Sequence, residues 1–132
     1  MEKRQVAGSV LIALGGLVLL ASAAAKFARV PPIVAELGAF GFAGNKLTVI
    51  AVTEMLSALL FLIPRTRSAG LLLVSSYLGG AIATHVQHDQ SIVQPAVVLT
   101  ILWLGALLRH PEILWSVRPV THVTRAFARE AA

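Results

Sequence analysis

The sequence predicts an all-α integral membrane protein, an antiparallel four-helix bundle with both termini in the cytoplasm. Three observations predict it: 57% of the 132 residues are hydrophobic, only 13% are charged, and four long apolar runs follow one another along the chain. Soluble domains carry about 25% charged residues, so this chain has too little polar surface to cover itself in water. Its length fits a single transmembrane domain of residues 1–132. The absence of cysteine excludes disulfides, thiolate metal sites and thiol catalysis.

The four apolar runs give the predicted helices, at about residues 6–25, 47–63, 69–86 and 92–108. A membrane-spanning helix needs about 20 apolar residues, with a range of about 17 to 25. The first three runs meet that range. The fourth meets it when Ser91 to Val93 extend it upstream, with Pro95 tolerated in a first helical turn. The first run exceeds the roughly 7 to 15 apolar residues of a signal peptide, so we interpret it as an uncleaved helix.

The basic residues predict which way the spans run. Cytoplasmic segments of membrane proteins carry an excess of Lys and Arg. Eight of the eleven basic residues fall on the side of the two termini: Lys3, Arg4, Arg65, Arg67, Arg109, Arg118, Arg125 and Arg129. The other three fall on the outer side: Lys26, Arg29 and Lys46. The basic residues then face the negative inner leaflet, which explains the net charge of +5 without a nucleic-acid partner.

A long outer loop, residues 26–46, connects the first two predicted spans. Pro31-Pro32 breaks a helix, and we expect a short new helix from Pro32 to Leu37. A turn rich in glycine and phenylalanine follows it: Gly38, Phe40, Gly41, Phe42 and Gly44. This segment either covers the bundle as a lid or anchors its phenylalanines among the lipid headgroups. In the short outer connection, His88 and Asp89 are interpreted as solvated.

The polar tail, residues 109–132, is predicted to be cytoplasmic, with Trp115 as an interfacial anchor. Basic side chains three or four residues apart would share one face of a helix there: Arg118, His122, Arg125 and Arg129. Such a helix would lie on anionic lipid or dock a partner.

Small residues recur at helical spacing within the spans. They are Gly8, Gly15 and Ser22 in the first run, and the pairs Ser75/Gly79 and Ser76/Gly80 in the third. Small residues at such spacing let helix backbones approach closely. We interpret them as packing seams, within the bundle or between copies of a homo-oligomer.

Three ionisable residues from three different spans are predicted to face one pocket in the outer half of the bundle. Glu54 lies eight residues into its span, roughly 12 Å below the outer boundary. A bare carboxylate inside the bilayer costs about 2.5 to 3.5 kcal/mol on insertion scales, so Glu54 must be protonated, paired or wet. His85 and Lys26 lie near the outer ends of their spans. The alternatives are a structural pair of Glu54 with Lys26 or His85, a capping histidine, and a lysine that reaches the headgroups.

These three residues, Lys26, Glu54 and His85, are the candidate catalytic groups. Candidate ligand contacts are Phe40, Ser57, Tyr77, Thr84 and Thr100. The alternative for the polar members of this second set is hydrogen bonding between helices. One glutamate and one histidine without metal-ligand spacing are a poor zinc set, so no metal is expected. A hydrolase of the Ser-His-Asp type would need a nucleophile elbow, which the sequence lacks.

A carboxylate, an imidazole and an ammonium around a cavity that lipid can reach are able to move protons. An imidazole titrates near neutrality and can donate to, or accept from, a carbonyl or quinone oxygen. The alternative is a binding site in which the same groups orient a head group.

Four segments of the chain resemble the DoxX-like family of small four-helix bacterial membrane proteins. They are "SAAAKF" at 22–27, "TEMLSALLFLIPRTR" at 53–67, "YLGGAIATHVQHD" at 77–89 and "PAVVLTILWLGALLRHPEIL" at 95–114. The resemblance implies a multi-pass protein of the bacterial inner membrane, associated with redox complexes such as those of thiosulfate:quinone oxidoreduction. It implies Lys26, Glu54 and His85 as pocket residues but no particular reaction, and any electron chemistry would need a membrane or cytoplasmic redox partner or a bound quinone.

Three functions therefore remain open. The first is a redox-associated membrane protein that binds a quinone-like or other lipophilic small molecule in the outer-half pocket. The second is a stand-alone membrane enzyme that performs acid/base isomerisation or hydrolysis on a lipophilic substrate. The third is a non-catalytic assembly or carrier subunit.

Overall fold

A computed structural model describes residues 2–113, and over that range the chain is helical, without strands. Its five α-helices are α1 (Lys3–Phe27), α2 (Pro31–Ala39), α3 (Asn45–Leu62), α4 (Arg67–Gln87) and α5 (Val93–Arg109). Each helix end lies within three residues of the predicted one, including those of the short helix α2 in the outer loop. The predicted tail helix, with Trp115 and its basic residues, lies outside the described residues.

The described helices carry the apolar surface of a membrane protein. Three of them, α1, α3 and α4, are long and apolar enough to cross a membrane, and α5 is a shorter apolar helix of 17 residues. Large hydrophobic side chains remain exposed along the bundle, as at Leu17, Val49 and Leu72. In a bilayer these side chains contact lipid instead of water. The all-helical prediction is confirmed for residues 2–113, while the number of spans and the side of the termini stay predictions.

The four long helices form an antiparallel ring. Helix α1 packs against α3 and α5, and α4 packs against the same two helices from the opposite side. The direction follows from the contacts, because Gly8 meets Arg109 whereas Gly15 meets Leu102. We call the end that carries α2 and residues 88–92 the α2 end. The end that carries the turn 63–66 and the start of α1 is the hairpin end.

Glycines close the hairpin end by direct backbone contact. A Cβ added at Gly8 would lie 2.6 Å from the backbone nitrogen of Arg109, and one at Gly70 would collide with the backbone of Phe61. Gly79 and Gly80 differ, because no other element of the described chain lies within 4 Å of a Cβ placed at either position. The predicted packing seam of small residues in α1 therefore lies where α1 packs against α5. The two glycines of α4 lie instead on an open face.

The hydrophobic core lies between the hairpin end and the middle of the bundle. Its buried residues include Ile12, Leu19, Phe61, Leu71, Val74, Leu78 and Leu102. The Trp103 indole N–H of α5 donates to Ser75 Oγ of α4 at 3.0 Å and ties these two helices beside the core. Towards the α2 end this packing gives way to polar side chains and cavities.

Helix α2 lies across the α2 end of the ring. Proline at its first position fits a helix start, where no backbone N–H is needed. Gly41 and Gly44 follow it with positive φ angles of 85° and 58°, which glycine adopts without steric cost. The turn between them returns the chain into α3, and it leaves Ile33, Leu37 and Phe40 of the α2 segment facing a cavity.

Candidate ligand-binding site

A buried ion pair joins α1 to α3 at the α2 end. Lys26 Nζ lies 2.7 Å from Glu54 Oε2 and donates a second hydrogen bond of 2.6 Å to Ser22 Oγ. Lys26 is 9% exposed and Glu54 3%. Of the alternatives left by the sequence, Glu54 is paired, and its partner is Lys26 instead of His85. Pairing offsets part of the cost of taking both charges out of water.

The local sequence explains how the lysine reaches this position. Ser22 and Lys26 are four residues apart in α1, so both side chains lie on one helix face. Lys26 also lies in the last turn of α1, where the helix dipole favours a positive charge. The side chain turns into the bundle and does not extend to the boundary.

Tyr77 brings a third helix to the ion pair. It lies in the middle of α4, half-buried, and its phenol interacts with the Glu54 carboxylate. Carboxylate, ammonium and phenol from α3, α1 and α4 therefore meet at one point.

His85 is held by its own helix and covered by α2. Its Nδ1 lies 2.8 Å from the Ala81 carbonyl oxygen, which can only accept, so Nδ1 carries the proton of the neutral ring and Nε2 is its basic nitrogen. The Phe40 ring lies 5.3 Å from the His85 ring and 4.8 Å from the His88 ring, centroid to centroid. His88, expected to be solvated, is half-buried against Phe40 because its Nδ1 bonds the Thr84 carbonyl at 2.9 Å and turns the ring back.

A cavity of about 210 Å³, which we call the polar cavity, contains these groups. Among the residues that line it are Ser22, Lys26, Glu36, Phe40, Glu54, Tyr77, His85 and Gln94. Apolar side chains complete its wall, among them Leu19, Leu78 and Val98. The structure thus brings all three candidate catalytic residues together with Phe40 and Tyr77.

A second cavity of about 280 Å³, the apolar cavity, lies between α2, α3 and α4. Its lining includes Phe42, Ile50, Ser76, Gly80 and Thr84. Five further residues line both cavities: Leu37, Phe40, Tyr77, Ala81 and His85. The two spaces are therefore neighbours across one wall of side chains.

Three other candidate contacts bond to carbonyls of their own helices. Thr84 lines the apolar cavity and donates to the Gly80 carbonyl at 3.0 Å. Ser57 is buried and donates to the Thr53 carbonyl at 2.6 Å, and it lines neither cavity. Thr100 is exposed on α5, donates to the Ala96 carbonyl at 2.8 Å and also lines neither cavity. A role in ligand binding stays a prediction for each of these residues.

The sequence analysis missed three polar residues of the polar cavity: Ser22, Glu36 and Gln94. Ser22 was assigned only to a packing seam, although its spacing from Lys26 predicts a hydrogen bond. Glu36 is the single charged residue of α2, and Gln94 stands next to the proline of the first turn of α5. A polar residue isolated in an apolar helix was the signal in both cases.

The arrangement offers hydrogen-bonding groups to a small polar head group. Among residues 2–113, no group of three His, Asp or Glu side chains is placed to hold a metal, and the expectation that the protein needs none stays a prediction. An ammonium or a phenol can donate a hydrogen bond to a carbonyl oxygen, and an imidazole whose two nitrogens are both protonated can do so as well. A carboxylate and an imidazole in the same space can exchange protons with it.

Comparison with known protein families identifies a match over most of the chain. The model of the DoxX-like family matches residues 10–110, which include Lys26, Glu54 and His85. No curated protein and no solved structure matches the chain.

Proposed function

The chain belongs to the DoxX-like family of membrane proteins, and we propose that it binds a lipophilic carbonyl compound in the polar cavity and exchanges protons with it. A quinone is the first candidate for that compound, because the family resemblance implies an association with redox complexes. The observation that carries the proposal is the Lys26–Glu54 pair, buried yet lining a cavity. Ionisable residues within a membrane span are costly, and they commonly mark ligand or proton pathways.

The proposal includes four membrane spans, a location in the bacterial inner membrane, and both termini in the cytoplasm. Helix α5 rises roughly 25 Å over its 17 residues, which approaches the roughly 30 Å of a bilayer core. It packs alongside two longer helices, which supports its crossing with them. Basic residues concentrate at the hairpin end, at Lys3, Arg4, Arg65, Arg67 and Arg109, and this excess favours the cytoplasmic side. The α2 end and its cavities then belong to the outer half.

In this function each group has a distinct part. Lys26 would donate its third N–H to the carbonyl oxygen of the ligand, beside the two that it gives to Ser22 and Glu54. Tyr77 would hold the Glu54 carboxylate in place. Glu54 and His85 Nε2 would give up or take the protons. Reduction of a quinone takes up two electrons and two protons, and the electrons would come from a membrane or cytoplasmic redox partner. The protein itself would hold the head group, exclude water and handle protons.

Native mass spectrometry from mild detergent, with organic extraction of bound molecules, tests this proposal. Wild type is compared with Glu54→Gln and His85→Ala, and Glu2→Gln serves as the matched control because Glu2 is exposed at the hairpin end. We expect one lipophilic carbonyl molecule per chain in the wild type and in Glu2→Gln, and less than a tenth of that in the other two variants. Exchangeable phospholipid alone, equal in all four proteins, would overturn the proposal and favour an assembly subunit.

A further inference from the structure

We propose that the apolar cavity is a side doorway, through which one hydrocarbon chain of the ligand passes from the polar cavity into the bilayer. This inference rests on the proposed function and adds the shape of the ligand. The ligand would be a compact head group with a hydrogen-bonding carbonyl and a single flexible apolar chain. A head group without a chain would need the polar cavity alone.

The first observation is the position and size of the two cavities. They share a wall of five residues, in which Phe40, Tyr77 and His85 carry rings. Neither cavity, at about 210 and about 280 Å³, reaches the roughly 300 to 1,000 Å³ of a typical ligand pocket, whereas the two together do. A single molecule that occupies both would place its polar part beside Lys26 and Glu54 and its apolar part beside Phe42 and Ile50.

The second observation is that small residues of α4 form part of the lining of the apolar cavity. Ser76, Gly80 and Thr84 succeed one another at one-turn spacing on α4, and all three line the cavity. A Cβ at Gly80 would meet no other part of the described chain within 4 Å. The Ser76 and Thr84 hydroxyls donate to the carbonyls of Leu72 and Gly80, at 3.0 Å each. A chain that passes here therefore meets an apolar surface.

The third observation is the depth of this rim. Gly80 lies seven residues before the last residue of α4, which is roughly 10 Å along the helix axis. In the proposed orientation a chain that leaves at Gly80 enters the hydrocarbon part of the bilayer. A hydrocarbon chain that is already dissolved in lipid gains no further free energy by contacting an apolar protein surface. The doorway therefore acts by steric access and not by attraction.

Filling the doorway tests the inference. The variant Gly80→Phe places a ring at the rim, and Gly79→Phe is the matched control, because Gly79 is equally open but does not line the apolar cavity. The probes are two benzoquinones in lipid nanodiscs: 2,3-dimethoxy-5-methyl-1,4-benzoquinone and its decyl-substituted form. Binding is measured at equal mole fractions in the lipid, so that comparison between variants cancels the partitioning of each probe.

We expect wild type and Gly79→Phe to bind both probes. For each probe, the affinities of these two proteins should agree within threefold. Gly80→Phe should retain the probe without a chain and lose at least tenfold in affinity for the decyl probe. Equal binding of the decyl probe by Gly80→Phe and wild type would overturn the doorway, and so would an equal loss of both probes.

The failures of the two proposals are distinguishable. If the chainless probe binds, and Glu54→Gln abolishes its binding, the proposed function holds whatever Gly80→Phe does. If neither probe binds the wild type, the quinone assignment fails, and the doorway for such a ligand fails with it.

Discussion

The two ends of the bundle are built by opposite means. At the hairpin end, glycines bring backbones into direct contact, as at Gly8 against Arg109 and Gly70 against Phe61. At the α2 end a buried ion pair, a phenol and two cavities lie between the helices. Backbone contacts at glycines therefore join the helices at one end, whereas polar side chains join them at the other. Proteins commonly depart from an apolar, well-packed core at a functional site, and the polar groups at the α2 end are such a departure.

The largest expected effect comes from breaking the ion pair at the α2 end. Lys26→Met would leave the Glu54 carboxylate buried without its partner, and removing one partner of a buried pair costs about 3 to 5 kcal/mol. We expect that loss in the free energy of unfolding, measured in mild detergent by loss of the monodisperse protein. The double variant Lys26→Met/Glu54→Gln should recover most of it, because no unpaired charge remains. Equal stability of Lys26→Met and wild type would show that water already reaches the pair.

The second prediction concerns the hairpin end. Gly8→Ala forces a methyl group to within 2.6 Å of the Arg109 backbone nitrogen, and backbone atoms of a packed helix cannot move away cheaply. We expect a loss of about 1 to 3 kcal/mol in the free energy of unfolding, as for other overpacked positions. Ligand content, measured by extraction, should stay at the wild-type level because the change lies at the other end of the bundle. A parallel loss of ligand would mean that the two ends are not independent.

Arg67 provides a third, smaller effect at the hairpin end. Its guanidinium donates to the Phe61 and Leu62 carbonyls at 3.2 Å each, where α3 ends and these acceptors lack helical partners. It also lies 2.9 Å from His110 Nε2. Arg67→Met should cost about 1 to 2 kcal/mol, since these hydrogen bonds are partly exposed. Arg67→Lys is the control for charge, and it should recover less than half of the loss because one ammonium cannot reproduce three directed donors. Full recovery by lysine would reduce the role of Arg67 to its charge.

The sequence predicted the helices well and the site in part, for physical reasons that individual residues illustrate. Apolar length and basic residues define the helices locally, so the range 6–25 anticipated α1 closely. The partnership of Lys26 with Glu54 spans 28 positions and depends on the angular facing of two helices. Spacing along one helix does not fix that angle, so pairing with His85 remained open. The burial of His88 depends likewise on where Phe40 of the α2 segment comes to lie.

The smallest expected effect tests the open face of α4 and is of opposite sign to that of Gly8→Ala. Gly79 lies inside a helix, and a Cβ there would meet no other part of the described chain within 4 Å. Alanine in a helix interior is more favourable than glycine by about 0.5 to 1 kcal/mol. Gly79→Ala should therefore raise the free energy of unfolding by that amount, measured as for Lys26→Met. If the variant is instead less stable, and light scattering shows that it loses a dimer present in the wild type, then this face packs against a second copy of the chain. The same substitution, made at Gly8 and at Gly79, thus separates a glycine that the fold requires from one that the fold leaves open.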